Sequence, residues 1–208
     1  MRNFDYSYLK NRTWDNEILT YVAKIHEFKG KQELYIRQKP VELERLIEVA
    51  KVQSTESSNR IEGIITTRSR LQQLVEDKTT PRNRDEKEIL GYRNVLNLIH
   101  ENYQYIPLKS NYILQLHRDL LQYTELSYCG KYKTSPNEID AVLPNGEKRV
   151  LFKPLEPYET PDAIEQICNS YQKALDQEII DSLILIPCVI LDFLCVHPFN
   201  DGNGRMSR

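Results

Sequence analysis

The sequence predicts an all-α protein gathered around one buried helix and interrupted by a single β-hairpin. Apolar residues recur at steps of three and four along most of the chain, the spacing that lines one face of a helix. The run from 183 to 196, Leu-Ile-Leu-Ile-Pro-Cys-Val-Ile-Leu-Asp-Phe-Leu-Cys-Val, is apolar all round, as a central helix is. Between 139 and 152 the pattern changes. Val142 and Leu143 lead into Pro144-Asn145-Gly146, and Val150, Leu151 and Phe152 follow. Asn-Gly between two apolar stretches is a strong hairpin signal.

Each helix follows from its own spacing. Trp14, Ile18, Tyr21 and Ile25 mark a first helix that Gly30 would end, and Leu43, Leu46, Ile47 and Ala50 mark a second after Pro40. Both stripes read as core-facing. Ile89, Tyr92, Leu96, Ile99 and Tyr103 share a face of a helix capped by Asn83, with Glu86 where a reciprocal capping-box partner would stand. Ile113, Leu116 and Leu120 repeat the pattern. So do Ile164, Ile167, Tyr171 and Leu175, in a helix opening at Thr160-Pro161 with a cap and a first-position proline. Pro187 and Asp192 interrupt the 183–196 run, which falls short of the ~20 residues that span a bilayer. It is therefore read as a fully buried helix.

Composition narrows the class. A chain of 208 residues buries a core without disulfides or a structural metal. With 40% hydrophobic and 28% charged residues it is globular, and a net charge of -2 argues against a general nucleic-acid surface. Cys129, Cys168, Cys188 and Cys195 form no CxxC pair, and Cys188 and Cys195 lie in the apolar run as small hydrophobes. Residues 1–10 are polar and aromatic, without the apolar segment of a signal peptide, so a cytoplasmic location is expected.

Chemistry concentrates in the last twelve residues, His197-Pro198-Phe199-Asn200-Asp201-Gly202-Asn203-Gly204-Arg205-Met206-Ser207-Arg208. Glycines let backbone amides approach a ligand, and a helix starting there points free N–H groups at an anion. Arg205 and Arg208, three apart, are placed to fork onto phosphate oxygens. Asp201 is a hard oxygen ligand for a Mg²⁺ that keeps water and phosphates around it. His197 titrates near neutrality beside the anion site, as a general base should. Together these describe a nucleotide polyphosphate, its magnesium, and a base for an attacking hydroxyl. The EF-hand spacing is absent, and no Gly-Lys-Ser/Thr makes a Walker A loop.

The string resembles the signature of the Fic family, HxFx(D/E)GNGRxxR, and matches every fixed position. Ser58-Asn59-Arg60-Ile61-Glu62-Gly63 resembles the family's inhibitory motif, (S/T)xxxE(G/N), placed N-terminal to the signature as in its second class. The stretch from Gly130-Lys131-Tyr132-Lys133-Thr134 to Phe152-Lys153-Pro154 falls where Fic proteins carry their flap. The resemblance implies a Fic-type helical bundle: an N-terminal helical extension at 1–50 and a Fic domain at 51–208. Within that domain lie an inhibitory helix near 54–63, a flap near 131–154 and the signature loop at 197–208.

It also implies an activity, transfer of AMP from ATP to a Ser, Thr or Tyr hydroxyl of a protein with release of pyrophosphate. His197 matches the base and Phe199 a core residue that orients the loop. Asp201 matches the Mg²⁺ ligand, and Gly202, Asn203 and Gly204 the nest around the phosphates. Arg205 and Arg208 match the phosphate-gripping arginines. Glu62, with Ser58 and Gly63 in its motif, matches the inhibitory glutamate that pairs with the second arginine. The alternatives are a bifunctional or mainly AMP-removing enzyme and a catalytically silent regulatory module. The partner implied is a target protein held by the flap through main-chain pairing, the chain itself included. No membrane is expected, and nucleic acid only through a further C-terminal domain. No clear exposed stripe supports a homodimer, which is left open. Family members normally continue past the last letter of the signature, so a C-terminally truncated chain is expected.

Overall fold

The computed structural model describes residues 4–38, 40–143, 146–178 and 180–208; Pro144 and Asn145 of the expected turn lie outside them. Helices α1 (Asn16–Gln38), α2 (Pro40–Ile61), α3 (Arg68–Val75), α4 (Arg84–Asn102) and α5 (Ser110–Leu120) precede a hairpin of β1 (Ile139–Val142) and β2 (Lys148–Phe152). Then come α6 (Thr160–Asp176), α7 (Ser182–Val196) and the short α8 (Asn203–Ser207). Among the described residues the chain is helical with one small antiparallel sheet, as its periodicity predicts.

Helix α7 organises the core. Asp181 starts it by accepting the Leu183 N–H at 2.9 Å. Leu185, Val189, Phe193 and Val196 are buried against Ile164 and Ile167 of α6, Ile113 of α5, and Phe4, Tyr6 and Leu9 from the 3-10 turn Tyr6–Asn11 and the residues before it. The expectation of complete burial holds for one face only: Ile186 and Leu191 are 41% and 57% exposed. Cys188 and Cys195 are half-buried, Cys168 is buried, and the cysteines are free. Among the described residues no helix is long and apolar enough to cross a membrane.

Local expectations meet tertiary competition at several points. Asn83 caps α4 by accepting the Glu86 N–H at 2.9 Å. Glu86 does not return the bond. Its buried carboxylate takes Arg70 at 2.6 Å and the Arg82 N–H at 2.8 Å, and Arg70 holds its pKa down to about 2. A buried charge pairs with a counter-charge before it caps an amide. Thr160 is not an acceptor cap either. The 3-10 turn Pro157–Glu159 runs directly into α6, and the Thr160 hydroxyl donates to Glu156 O at 3.0 Å. On α4, Ile89 and Tyr92 are buried, but Ile99 and Tyr103 at its outer end are exposed.

The N-terminal helices depart furthest from expectation. Gly30 lies inside α1, and Ile18, Tyr21 and Ile25 of α1 and Leu46 and Ile47 of α2 are exposed. Periodicity identifies an apolar face, but not whether anything covers it. What α2 buries is polar: Thr55, Ser58 and Asn59 are each less than 5% exposed. The hairpin pairs Asp140 with Val150 and Val142 with Lys148, and a bulge separates Ile139 from Asp140. Gly146, at φ 81°, closes the turn by donating to Leu143 O at 2.8 Å.

The packing of α7 makes a stability prediction. Leu185→Ala is expected to cost about 2–5 kcal/mol, as fully buried leucines do, whereas Leu191→Ala should stay within about 0.5 kcal/mol. Urea unfolding of the two variants checks this.

Candidate active site

The signature loop begins where α7 is forced to stop. His197 adopts the left-handed conformation, φ 51° and ψ 62°, with its N–H on Phe193 O at 2.9 Å, and Pro198 cannot continue the helix. Phe199 then plunges into the core. It is fully buried and stacks on His117 at 3.7 Å with the rings 2° from parallel. Asn203 closes the loop. Its Oδ1 accepts the Phe199 N–H at 2.9 Å, and its Nδ2 donates to Phe199 O at 2.7 Å. The Asn203 side chain is thus spent on the loop, and only its backbone is left to face a ligand. Gly202, at φ 81°, leads into α8, whose first N–H groups have no partner within the helix.

Residues from distant elements fix this loop. His117 Nδ1 accepts the Gly130 N–H at 3.0 Å, so Nε2 carries the proton and donates to Asp201 O at 3.0 Å. Burial holds the His117 pKa down to about 4, which keeps the ring neutral. Lys133, 2% exposed, donates to Val196 O at 3.0 Å and to Asn137 Oδ1 at 2.9 Å, and burial lowers its pKa to about 8. Asn137 in turn donates to His197 O and Phe199 O, at 3.3 and 3.1 Å. His197 is itself half-buried, and burial depresses its pKa, so the imidazole is neutral at physiological pH. That is the protonation state of a general base.

The two arginines part company. Arg205, its side chain 1% exposed, turns inward: Nη1 donates to Glu88 at 2.7 Å and Nη2 to Asp201 Oδ1 at 3.3 Å. It does not face the open cleft in the way the spacing of the two arginines predicts. Arg208 does, and α2 meets it there. Its Nε donates to Ser58 Oγ at 2.9 Å, and its Nη2 to Ser58 O at 3.0 Å and Glu62 Oε1 at 2.6 Å.

Gly63 makes that meeting geometrically available. At φ 76° it ends α2, with its own N–H on Arg60 O and the Ile64 N–H on Asn59 O, each at 3.0 Å. This paired closure stops the helix at Ile61 and leaves Glu62 in the turn. Glu62 then lies over the signature turn. A Cβ on Gly204 would collide with Glu62 Oε1, so only glycine admits the carboxylate there.

The signature loop lies in a stretch that matches a known family. Residues 107–208 match the Fic/DOC family. The chain carries a Fic domain. A Fic-domain-containing signaling protein from Bacteroides thetaiotaomicron, 27% identical, superposes with a TM-score of 0.70 over 81% of this chain and 63% of that one. A Fic family protein from Desulfovibrio desulfuricans, 18% identical, shares the fold with a TM-score of 0.71 over 94% of this chain and 56% of its own. A curated relative from Nematostella vectensis, named protein adenylyltransferase Fic, is 24% identical over 80% of this chain and 38% of its own length. The chain spans less than two thirds of each of these relatives.

The Fic signature accounts for His197, Asp201, the glycines and the arginines. Nothing in local sequence marks Glu88, His117, Lys133 or Asn137, which lie on other elements and read as ordinary helix or loop residues. For Mg²⁺ the donor set is small. Asp201 Oδ1 takes the Gly202 N–H at 2.6 Å, and Oδ2 lies 3.5 Å from the exposed Arg84, while no three His, Cys, Asp or Glu side chains gather around a point among the described residues. One accessible hard oxygen beside the open amides fits a cation held mainly by phosphates and water.

His117 sets a pH expectation. Its pKa falls from 6.5 to about 4 on folding, so the unfolded chain binds more protons between those values. The stability it contributes is therefore complete above about pH 6.5 and is lost as pH drops towards 4, on the order of 3 kcal/mol in all. His117→Gln should flatten the acid limb of a stability-against-pH curve between pH 4 and 6.5; an unchanged limb would contradict the buried neutral ring.

Proposed function

We propose that this chain is the catalytic part of an autoinhibited protein adenylyltransferase of the second Fic class, moving AMP from ATP to a Ser, Thr or Tyr hydroxyl of a protein. The observation that carries the reading is Glu62, lying over Gly204 and bonded to Arg208 at 2.6 Å. A carboxylate in that position occupies the guanidinium donors a terminal phosphate would use and puts negative charge where phosphates would lie. The Nematostella relative, a protein adenylyltransferase by name, supports the reaction type.

In this reading the amides at the start of α8 receive the phosphates, and Arg208 takes the γ-phosphate once Glu62 withdraws. Asp201 would hold Mg²⁺, which neutralises phosphate charge when bound. Neutral His197 takes the proton from the target hydroxyl as its oxygen bonds to the α-phosphorus. The bond from that phosphorus to the bridging oxygen breaks, and pyrophosphate leaves with the electron pair. Phe199, His117 and Asn137 hold the His197 backbone still, so that the base needs no search for its position. Strand β2, with one edge outside the two-stranded sheet, offers main-chain groups to an extended target segment.

The experiment is protein labelling by α-labelled ATP with magnesium. Glu62→Gly should raise labelling on the order of ten- to a hundredfold, the worth of one charge-assisted hydrogen bond. Adding His197→Ala should then remove about 10²- to 10⁴-fold. Unchanged labelling in Glu62→Gly, with folding and ATP binding intact, would overturn the autoinhibition. Release of AMP from premodified protein by the wild type, lost in Glu62→Gly, would assign the same glutamate a second, AMP-removing role.

A further inference from the structure

Below the signature loop, four charged side chains close a ring. Glu88, on the buried face of α4, has a side chain only 4% exposed and bonds two arginines at once: Arg205 Nη1 through Oε2 and Arg84 Nε through Oε1, both at 2.7 Å. The same two arginines reach Asp201, Arg205 at Oδ1 from 3.3 Å and Arg84 at Oδ2 from 3.5 Å. Two carboxylates and two guanidiniums thus alternate around the ring with no net charge. Its members are unequal, however. The Arg205 side chain is 1% exposed and its Nε is buried with no partner among the described residues, whereas the Arg84 side chain is 63% exposed.

We infer that Glu88 is a positioning residue that keeps Asp201 available to a divalent cation, and that Arg84 is the exposed counter-ion which that cation displaces. The inference rests on the proposed reading of Asp201 as the magnesium ligand. A buried guanidinium must be paired. With Glu88 present, Arg205 has its own carboxylate and touches Asp201 only at the inner oxygen. Without the Glu88 charge, Asp201 becomes the nearest anion for a buried cation, and the ring carries an excess positive charge that opposes metal. Arg84 acts in the opposite sense. It sits at Asp201 Oδ2, the outer oxygen, in solvent, where an ion pair is weak and easily exchanged. Glu88 touches neither nucleotide nor target in this scheme; it works through Arg205 and Arg84.

The two roles give effects of opposite sign, and two measurements on the full chain read them: Mn²⁺ binding to the protein–ATP complex, followed by the rise in water proton relaxation above that of Mn²⁺–ATP free in solution, and calorimetric binding of ATP in EDTA. Glu88→Gln should weaken Mn²⁺ about 10- to 100-fold, as loss of a supporting partner of a metal ligand does. It should leave metal-free ATP binding unchanged or tighter, because a negative charge has gone. Arg84→Gln should tighten Mn²⁺ about two- to fivefold, the scale of an exposed ion pair. Its exposed position also keeps the test sound where Glu88→Gln fails to fold. Equal losses of Mn²⁺ and metal-free ATP in a folded Glu88→Gln would reduce Glu88 to a structural role and overturn the inference. So would Mn²⁺ affinity unmoved or weakened by Arg84→Gln while Asp201→Ala abolishes it. Failure of the Glu62→Gly chain, in which that carboxylate no longer competes with the phosphates, to bind Mn²⁺ with ATP, or binding indifferent to Asp201→Ala, would instead bring down the magnesium assignment, and the inference with it.

Discussion

One amide side chain holds the functional end of this molecule together. By bonding both polar groups of the Phe199 backbone, Asn203 fixes the loop between α7 and α8. Phe199, stacked on His117, anchors that loop in the core. If the loop could slide, His197 would lose its place relative to α8, and Arg208 would no longer stand opposite α2. Everything that faces the cleft is therefore positioned by groups that do not. This is the usual division of labour in a preorganised site.

The same economy explains α2. Its last turns pack a polar face, Thr55, Ser58 and Asn59, where a helix would ordinarily bury leucines. Hydrogen bonds offset part of the cost of burying those groups: the Ser58 hydroxyl and carbonyl both accept from Arg208, and Asn59 donates to Thr55 O, while Thr55 Oγ1 and Asn59 Oδ1 are buried without a hydrogen-bond partner among the described residues. A polar contact of this kind is exchangeable in a way that an apolar seam is not. Phosphate oxygens offer Arg208 what Ser58 and Glu62 offer it. On the proposed reading, α2 and the nucleotide would compete for Arg208 in the same chemical terms, which is what a reversible brake requires.

How far the sequence discloses this follows from where the information lies. The signature is legible because its chemistry is contiguous: a histidine, a carboxylate, glycines and two arginines within twelve residues. Glu62 is legible through its motif, and Gly63 turns out to serve as the glycine that ends the helix. The ring of Glu88 and Arg84 is illegible, because an i,i+4 pair of opposite charge on a helix reads as a solvated face until Arg205, 117 residues away, is folded against it. His117 is illegible for the converse reason, being a single histidine in an apolar stripe. The N-terminal helices mislead because their periodicity is real while nothing among the described residues covers Ile18, Tyr21, Leu46 or Ile47.

The central claim is that Glu62 restrains this site by occupying Arg208. A double-mutant cycle on ATP affinity, measured by calorimetry with magnesium, tests it most directly. Glu62→Gly should tighten ATP in the wild-type background, and the gain should largely vanish when Arg208 is already alanine, since no guanidinium then remains to be freed. The same gain in both backgrounds would show that Glu62 acts elsewhere and would contradict the account.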